Sequence, residues 1–368
     1  MKILFITNSL YDGGSNKVCS DLEHRFTQEN NTLTIVLDSE NNNKYNIDGE
    51  IRNICVGTRP FPFRAWISLF LQIFKSISII RQYKPDVIIS FSSHSNLINL
   101  ITRYFYKTKR ILTHHEDTFN FIQQHPFVQG LSIRFFNAIV FALRRESESF
   151  VCVSNIIAES LRQHYKIQGN IDVIHNGIDI EKIDTLKQEP IDINYRYIIN
   201  VGTLCDLKNQ ELLIKAYSCI HTTISEHLLF IGDGPSLNKL QLLAKELNIE
   251  NKVHFLGFQI NPYKYLSKSS LFVFTSKTES FCLALIEAMY IGIPCIAVKN
   301  SGIIETVGES QGALLLDNPS PDSLGNTILE MVNNQTERNF YSEKGKERAL
   351  YFSLEEQYRK FLLLINSV

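Results

Sequence analysis

The feature that most constrains the fold is an alternation of short β-branched runs with longer segments of helical period. This alternation is typical of parallel sheets whose strands are joined by helical crossovers. In the first half of the chain we predict strands that begin at Lys2, Thr32, Ile51, Asp86, Arg110, Phe150 and Asp172. Helices are predicted between them near 16–28, 64–83, 95–106, 129–146 and 155–165. The pattern therefore predicts an α/β fold.

The same pattern starts again after a polar, irregular segment, Asp179 to Asn194, which contains Pro190 and which we interpret as a linker. In this second series we predict strands that begin at Arg196, His227, Val253, Leu271, Cys295 and Ala313. Helices fit near 208–221, 236–247, 282–292 and 321–333, and the last stretch is amphipathic. We expect one α/β domain over residues 1–185, a second over 186–350, and a C-terminal helix over 351–368.

Composition excludes some functions and compartments. The 368 residues include 37 Lys and Arg and 38 Asp and Glu, so no overall field favours nucleic acid. The seven cysteines lack metal-ligand spacing, which favours reduced thiols in a cytoplasmic protein and no metal site. The N-terminal apolar run is only about a strand long, and no run reaches the ~18 residues of a membrane span. We therefore expect a protein that is soluble or rests on a membrane surface.

The strongest functional signal follows the fourth strand of the second series. There Glu279 is predicted in a loop and Glu287 within a helix, with seven residues between them. Helix rise limits their separation to ~12 Å, comparable to the reach from a sugar past its diphosphate to a ribose. The amides of Phe281, Cys282 and Leu283 lie at the helix start, which favours a diphosphate. Glu287 could then accept ribose hydroxyl protons, whereas a surface helix charge is the alternative interpretation.

Three other segments of the second half follow predicted strands. VGTLCDLKN contains Lys208, whose ammonium group suits a leaving diphosphate, although a solvated lysine is the alternative. Gly232, in the turn IGDGP, permits close backbone approach, but such a sequence is often just a tight turn. The run FLGF could present a ring to a nucleobase or pack in the core.

The first half offers a glycine loop and three histidines. Gly13 and Gly14 follow the first strand and open a helix, where they could approach a phosphate or sugar, although the dinucleotide fingerprint is missing. His94 and the pair His114 and His115 follow later strands. A histidine there could orient a transferring sugar or its acceptor, whereas a structural role is the alternative.

Taken in order, these motifs resemble the retaining glycosyltransferases of family 4, which have the GT-B fold. The similarity covers essentially the whole chain and is most specific from Val201 to Leu316, through VGTL, GDGP, FLGF, TESFCLALIEAM and GIPCIAV. In the first half it includes the GG loop, PDVIISF, RILTHHE, FVCVS and HNGID. The resemblance implies two Rossmann-like domains facing a central cleft. The first would bind the acceptor, the second the nucleotide sugar, and the final helix would pack back on the first.

The resemblance also implies transfer from a nucleoside diphosphate sugar with retention of configuration, without a metal or other cofactor. It implies that Glu287 holds the ribose, that Glu279 contacts the donor sugar and that Lys208 holds the diphosphate. His115 would match the family's cleft histidine, with the adjacent His114 as the alternative. Catalytic roles are thus implied for His115, Lys208 and Glu279. Donor binding is implied for Gly13, Gly14, Thr203, Lys208, Gly232, Ser280, Phe281, Cys282, Leu283 and Glu287.

The sequence departs from the family at two places. Thr203 stands where the family often has arginine, which weakens or relocates half of the cationic clamp. Ser15-Asn16-Lys17 replaces a common Ala-Glu-Arg, so acceptor contacts do not transfer. The alternatives are an epimerase of the same fold, a phosphorylase, for which the chain is short, and a silent nucleotide-sugar-binding subunit.

The acceptor is less constrained. Family members often extend surface polysaccharides, so a glycan or a lipid-linked saccharide is expected, and the family favours uridine over guanosine in the donor. The segment from Arg59 to Lys84 is aromatic and basic, as is the segment from Phe127 to Arg145. Each is either a crossover helix packed on its sheet or an amphipathic helix on anionic lipid at the cytoplasmic membrane face.

Overall fold

Two compact units make up the chain, which is seen in a computed structural model that describes residues 1–11, 13–38, 44–55, 62–115, 149–165 and 171–367. The first unit contains Met1–Gly177 and Leu354–Val368, and the second contains Ile178–Ser353. Each is an α/β unit built on one parallel sheet. The predicted fold class is confirmed.

The first unit carries a sheet of order β3-β2-β1-β4-β5-β6-β7. Its strands are β1 (Lys2–Thr7), β2 (Asn31–Val36), β3 (Glu50–Asn53), β4 (Val87–Phe91), β5 (Lys109–His114), β6 (Ser149–Cys152) and β7 (Ile171–Val173). Its helices are α1 (Gly14–Thr27), α2 (Pro62–Tyr83), α3 (Ser93–Thr102), α4 (Asn155–Tyr165) and, at the chain's end, α13 (Leu354–Asn366). In β1 and β4 nearly every residue is buried, as expected for strands covered on both faces.

The second unit carries a sheet of order β10-β9-β8-β11-β12-β13. Its strands are β8 (Tyr197–Val201), β9 (His227–Ile231), β10 (Val253–Phe255), β11 (Leu271–Phe274), β12 (Cys295–Val298) and β13 (Leu314–Leu316). Its helices are α5 (Ile180–Leu186), α6 (Gln210–Ile220), α7 (Leu237–Glu246), α8 (Tyr263–Leu266), α9 (Leu283–Ile291), α10 (Ser301–Val307), α11 (Pro321–Asn333) and α12 (Gln335–Ala349). Tyr217 and Phe230 are among its largest fully buried side chains.

The linker interpretation of 179–194 is wrong in its first part. Asp179 caps α5, because its side chain accepts a hydrogen bond from the Lys182 amide at 3.0 Å. The predicted domain boundary after residue 185 therefore falls within a helix that the structure assigns to the second unit. The helix predicted at 129–146 lies outside the described residues.

The C-terminal helix α13 packs on α1 of the first unit. Tyr358 contacts Phe26 edge to face at 4.6 Å between ring centroids, and Arg25 bonds Glu355 at 2.6 Å. Within the part of the chain that the structure describes, no helix is both long and apolar enough to cross a bilayer.

Candidate functional site

The candidate site of the second unit lies at the carboxyl ends of two neighbouring strands. The sheet order reverses between β8 and β11, and this switch point is where open parallel sheets usually bind ligands. Lys208 lies in the loop that follows β8, and Glu279 lies in the loop that follows β11. The fold therefore brings together two residues that are 71 positions apart in the sequence.

Backbone and hydroxyl contacts join these two loops. Thr275 Oγ1 donates to the carbonyl oxygens of Lys208 at 3.0 Å and Asn209 at 2.9 Å. The Lys277 amide donates to the Leu207 carbonyl at 2.8 Å. Asn209 has a left-handed backbone (φ 52°) and turns the chain into α6. These contacts hold the backbones of the two loops together, which places Lys208 close to the loop of Glu279.

Lys208 and Glu279 form an ion pair between Nζ and Oε1. Their side chains are 26% and 10% exposed, so the pair is shielded but still reaches solvent. Burial lowers the pKa of Lys208, but the Glu279 carboxylate, together with Cys282 and Cys205, raises it by more, so the net pKa is raised. Lys208 therefore carries a positive charge at neutral pH, and the solvated-lysine alternative does not describe it.

The Glu279 loop rests on the start of α10. Asn300 caps this helix, accepting from the Ile303 amide at 3.1 Å, and its Nδ2 donates to the Ser276 carbonyl at 3.0 Å. A Cβ atom on Gly302 would lie 2.1 Å from the Glu279 carbonyl oxygen, which no side chain tolerates. A glycine at this position is therefore required for the loop to lie where it does.

Glu287 is buried inside α9, with 4% of its surface exposed. Tyr263 Oη donates to Glu287 Oε1 at 3.1 Å, and Tyr263 is itself buried. Asn261, just before the short helix that carries Tyr263, accepts a hydrogen bond from the Tyr263 amide at 3.1 Å and donates one from Nδ2 to the Leu186 carbonyl at 2.9 Å. The alternative of an exposed helix charge is therefore wrong, because this carboxylate is buried and held by a phenol.

The start of α9 carries the three amides that were predicted to face a diphosphate. Cys282 is the residue before the helix, and no side chain caps it among the described residues. Its own amide lies 3.5 Å from Thr306 Oγ1, which is at the outer limit of a hydrogen bond. Phe281 is buried and packs edge to face on Phe352. An anion at the Cys282 amide would compete with this weak contact.

The glycine loops of the second unit are packed against each other. The Gly202 amide donates to Ile231, and the Gly232 amide donates to Gly257, each at 2.9 Å. A Cβ atom on Gly232 would lie 2.0 Å from the Gly202 carbonyl oxygen, so packing alone requires this glycine. The Thr203 carbonyl accepts from Gln210 Nε2 at 3.0 Å. Donor contacts of Gly232 and Thr203 stay predictions.

In the FLGF motif, the ring of Phe255 stacks on the ring of Phe230, which supports the core interpretation for Phe255.

In the first unit, the glycine loop follows β1 and the His94 segment follows β4, again at the switch point of the sheet. Gly13 has a positive φ of 96° and precedes α1. A Cβ atom on Gly14 would meet no heavy atom of the described residues within 4 Å, so packing does not explain this glycine. Burial lowers the pKa of His94, which is neutral at pH 7. The roles predicted for these residues stay predictions.

His114 and His115 occupy different environments. His114 ends β5 and is buried, with its ring stacked on Phe150. His115 follows the strand, is partly exposed, and its Nε2 lies 2.9 Å from Thr113 Oγ1. Burial and then the neighbouring His114 lower the pKa of His115 to about 3, so its ring is neutral. The structure thus favours His115 over His114 as the residue at the carboxyl end of the sheet.

Sequence reasoning missed three supporting residues: Tyr263, Asn300 and Gly302. Asn261-Pro262 and Asn300-Ser301 are recognisable helix starts, so the caps had a local signal. The contacts that Gly302 makes with the Glu279 loop and Tyr263 makes with Glu287 had no signal in the local sequence. Of the residues predicted in the second half, the structure brings Lys208 and Glu279 together as an ion pair, and the charges of Lys208, Glu279 and Glu287 all act on Cys282 at the start of α9. This arrangement can hold a diphosphate and a polyhydroxyl group.

Two family models together match almost the entire chain. Residues 12–182 match the model of Glycosyltransferase Family 4, and residues 181–348 match that of Glycosyl transferases group 1. The second match contains Lys208, Glu279 and Glu287.

Curated relatives and solved structures agree with these models. The chain is 28% identical to the N-acetylgalactosamine-N,N'-diacetylbacillosaminyl-diphospho-undecaprenol 4-alpha-N-acetylgalactosaminyltransferase of Campylobacter jejuni, over 79% of each chain. It is 22% identical to a second N-acetylgalactosaminyltransferase of that organism, also named for a PP-undecaprenol saccharide, over 100% of this chain and 99% of the relative. The crystal structure of Anabaena HepE with UDP and glucose matches with a TM-score of 0.80 at 18% identity, covering 100% of both chains.

Proposed function

The chain belongs to glycosyltransferase family 4, and from that premise we propose that it is a retaining, metal-independent transferase of a UDP-sugar. Its donor would supply a hexose or an N-acetylhexosamine. The acceptor would be a hydroxyl of a glycan or lipid-linked saccharide in surface polysaccharide synthesis, at the cytoplasmic membrane face. That the chain is a glycosyltransferase with the GT-B fold follows from the family and from its structural neighbours.

One observation carries the proposed donor site: Lys208 and Glu279 meet at the switch point of the sheet, and α9, which begins after the Glu279 loop, carries Glu287. A nucleoside diphosphate sugar needs a cation for its diphosphate and acceptors for its hydroxyl groups. Lys208 supplies the first, and the two carboxylates supply the second. The start of α9 adds backbone donors and a favourable dipole for the diphosphate.

The proposed reaction breaks the bond between the anomeric carbon and the diphosphate oxygen. The electron pair of this bond leaves with the diphosphate, where Lys208 and the α9 amides stabilise the developing charge. The acceptor oxygen forms the new bond on the same face of the sugar, and its proton passes to the departing phosphate. Glu279 would hold the sugar hydroxyls, and His115, neutral and therefore able to accept a hydrogen bond, would orient the reacting groups.

Uridine and a lipid-linked acceptor are supported by the relatives. HepE was crystallised with UDP and with UDP-glucose. Both Campylobacter jejuni relatives are named for undecaprenol-linked saccharides. We propose the same two classes for this chain, and no nucleic-acid partner.

The alternatives are a silent nucleotide-sugar-binding subunit and an epimerase of the same fold. Thr203 in place of an arginine favours a weaker diphosphate clamp and hence a silent binding subunit. An epimerase would consume the donor with no acceptor present. UDP release and conversion of the UDP-sugar, each measured with and without an extract of lipid-linked saccharides, separate the three functions. A transferase releases UDP much faster with the extract, an epimerase converts the donor to an epimeric UDP-sugar without releasing UDP, and a silent subunit does neither.

Matched variants test the site itself. Glu287→Gln and Lys208→Met should each lower UDP release, since each removes a proposed donor contact worth about 1.5–3 kcal/mol, or roughly tenfold to a hundredfold. Glu226→Gln is the control for Glu287, because Glu226 is also buried but lies at the amino end of β9, beside Arg196. Lys264→Met is the control for Lys208, because Lys264 is a similarly shielded lysine paired with a glutamate. Unchanged release by both site variants would refute the donor site.

A further inference from the structure

We propose that one face of α2, with the end of α3, docks the first unit on a membrane surface that contains anionic lipid. The face consists of four apolar residues of α2, the two aromatic residues that follow α3, and the basic residues among them: Ile67, Phe70, Leu71, Phe74, Lys75, Arg81, Tyr104, Phe105 and Lys107. We call it the α2 face. All its residues belong to the first unit, and none of them is among the residues predicted for the donor site.

The apolar part of the α2 face is a regular helical stripe. Ile67, Phe70, Leu71 and Phe74 have the spacing i, i+3, i+4 and i+7, which puts them on one side of a helix. Their side chains are 45%, 60%, 39% and 53% exposed. The rings of Phe70 and Phe74 lie 4.5 Å apart between centroids, so they form one continuous apolar surface. Four large exposed apolar residues in register are more than chance scatter over a surface.

The packing of α2 on its own sheet does not account for this stripe. The inward side of the helix is a different set of residues, in which Leu69, Gln72, Ile77 and Ile80 are buried. Gln72 Nε2 donates to the Leu37 carbonyl at 2.9 Å and ties this side to the end of β2. The helix α2 therefore packs on its sheet through one side, and the opposite, aromatic side does not take part in that packing.

Basic residues continue the same side toward the end of the helix. Lys75 and Arg81 are exposed, and they lie eight and fourteen residues after Ile67, on its side of the helix. Arg81 lies over the ring of Phe105 at 5.8 Å, which connects α2 to the exposed aromatic pair after α3. From Pro62 to Tyr83 the sequence has no Asp or Glu. The α2 face is thus aromatic and cationic together.

This composition selects the partner. A second copy of the chain would bring cations against cations, because a symmetric dimer pairs the same patch on both subunits. A bilayer with anionic lipid accepts both components, since aromatic and aliphatic side chains enter the boundary of the acyl chains while Lys and Arg reach the phosphates. The charge of the face therefore favours anionic lipid over a second copy.

Vesicle flotation of the full chain tests this docking. The two probes are vesicles of phosphatidylcholine alone and vesicles of phosphatidylcholine mixed with phosphatidylglycerol. We expect binding to the mixed vesicles and at least about tenfold weaker binding to the neutral ones. Phe70→Ser/Phe74→Ser and Lys75→Glu/Arg81→Glu should each reduce binding to the mixed vesicles by about tenfold or more. Nucleotide sugar is absent from the assay, so the result does not depend on the donor site.

The matched control is Leu242→Ser/Ile260→Ser, which removes two apolar residues of the second unit that are 61% and 83% exposed. This control should bind like the wild type. All the replaced residues are exposed, so folding should persist, and circular dichroism checks it. Equal binding by wild type and both α2-face variants would overturn the proposal. So would equal binding to both vesicle types, or a dimer in light scattering that Phe70→Ser/Phe74→Ser abolishes.

Discussion

Replacing Glu279 by glutamine should strengthen the binding of UDP while it weakens sugar transfer. Lys208 is already paired with Glu279, and the Glu279 side chain is 10% exposed. UDP must therefore share Lys208 with Glu279 and approach a second negative charge. A glutamine keeps the shape of the side chain, but it neither competes for Lys208 as a carboxylate nor repels the diphosphate. The two effects of one substitution have opposite signs, which a general loss of structure does not produce.

The magnitude follows from the exposure of the pair. Two unit charges at 4 Å interact by about 4 kcal/mol at an effective dielectric constant of about 20. Lys208 is 26% exposed, so solvent screens part of this energy, and UDP restores part of it by supplying a new counter-charge. We expect a net gain of about 1–2 kcal/mol, which corresponds to UDP binding about 5-fold to 30-fold more tightly. Transfer should fall by about tenfold or more, because the sugar loses a charged hydrogen-bond acceptor.

Isothermal titration calorimetry with UDP, at one ionic strength, measures the first effect, and product formation measures the second. Glu189→Gln is the control, because Glu189 belongs to the same unit and pairs with a different lysine, Lys264, at 3.3 Å. This control should bind UDP like the wild type. If Glu279→Gln binds UDP no more tightly than the wild type, Lys208 is not the cation that receives the diphosphate.

Three further predictions concern the residues that support the site and the first sheet. Tyr263→Phe removes the hydroxyl that donates to Glu287, and it should raise the KM for the UDP-sugar by about tenfold. The KM for a donor that lacks the ribose hydroxyls should stay unchanged. Equal shifts for both donors would contradict a role through the ribose. Gly302→Ala should displace the Glu279 loop and so lower transfer, and it should destabilise the second unit by about 1–3 kcal/mol in denaturant unfolding. Unchanged transfer and unchanged stability would contradict the close contact. Burial lowers the pKa of His114 from 6.5 to about 4, so the unfolded chain binds the extra proton and stability falls as pH drops from 6.5 toward 4. His114→Gln should flatten that part of a stability–pH profile, and an identical slope would contradict it.

The regular elements of the fold were predictable because their residues follow local patterns. β1 and β4 are nearly continuous apolar runs, and α6 and α9 lie between such runs at the expected lengths. All thirteen predicted strands are confirmed, within one or two residues at their starts. The signal was strong because buried parallel strands carry few polar residues.

The helices that were missed lack an apolar stripe. In α12 only Gly345 and Ala349 are buried, so its sequence is polar on all sides. In α5 only Ile183 is buried, and the segment therefore resembles a linker. Both helices are stabilised by capping and by tertiary contacts, such as Tyr290 Oη to Asp184 at 2.8 Å, which a local pattern does not reveal.

The candidate site likewise has a part that local sequence predicts and a part that it does not. Glu279, Glu287 and Lys208 were predictable because each follows a strand or begins a helix in a recognisable motif. That Lys208 pairs with Glu279, and that Glu287 is held by Tyr263, depends on side chains brought together from distant positions. The sequence alone left α2 with two interpretations, and the exposure of Phe70 and Phe74 now favours an interaction surface.

A crystal structure of the chain with bound UDP tests the central claim most directly. We predict that a diphosphate oxygen lies within about 3 Å of Lys208 Nζ, that another contacts an amide at the start of α9, and that the ribose hydroxyls contact Glu287. UDP bound elsewhere, with the Lys208–Glu279 pair and the surroundings of Glu287 unchanged, would contradict the account.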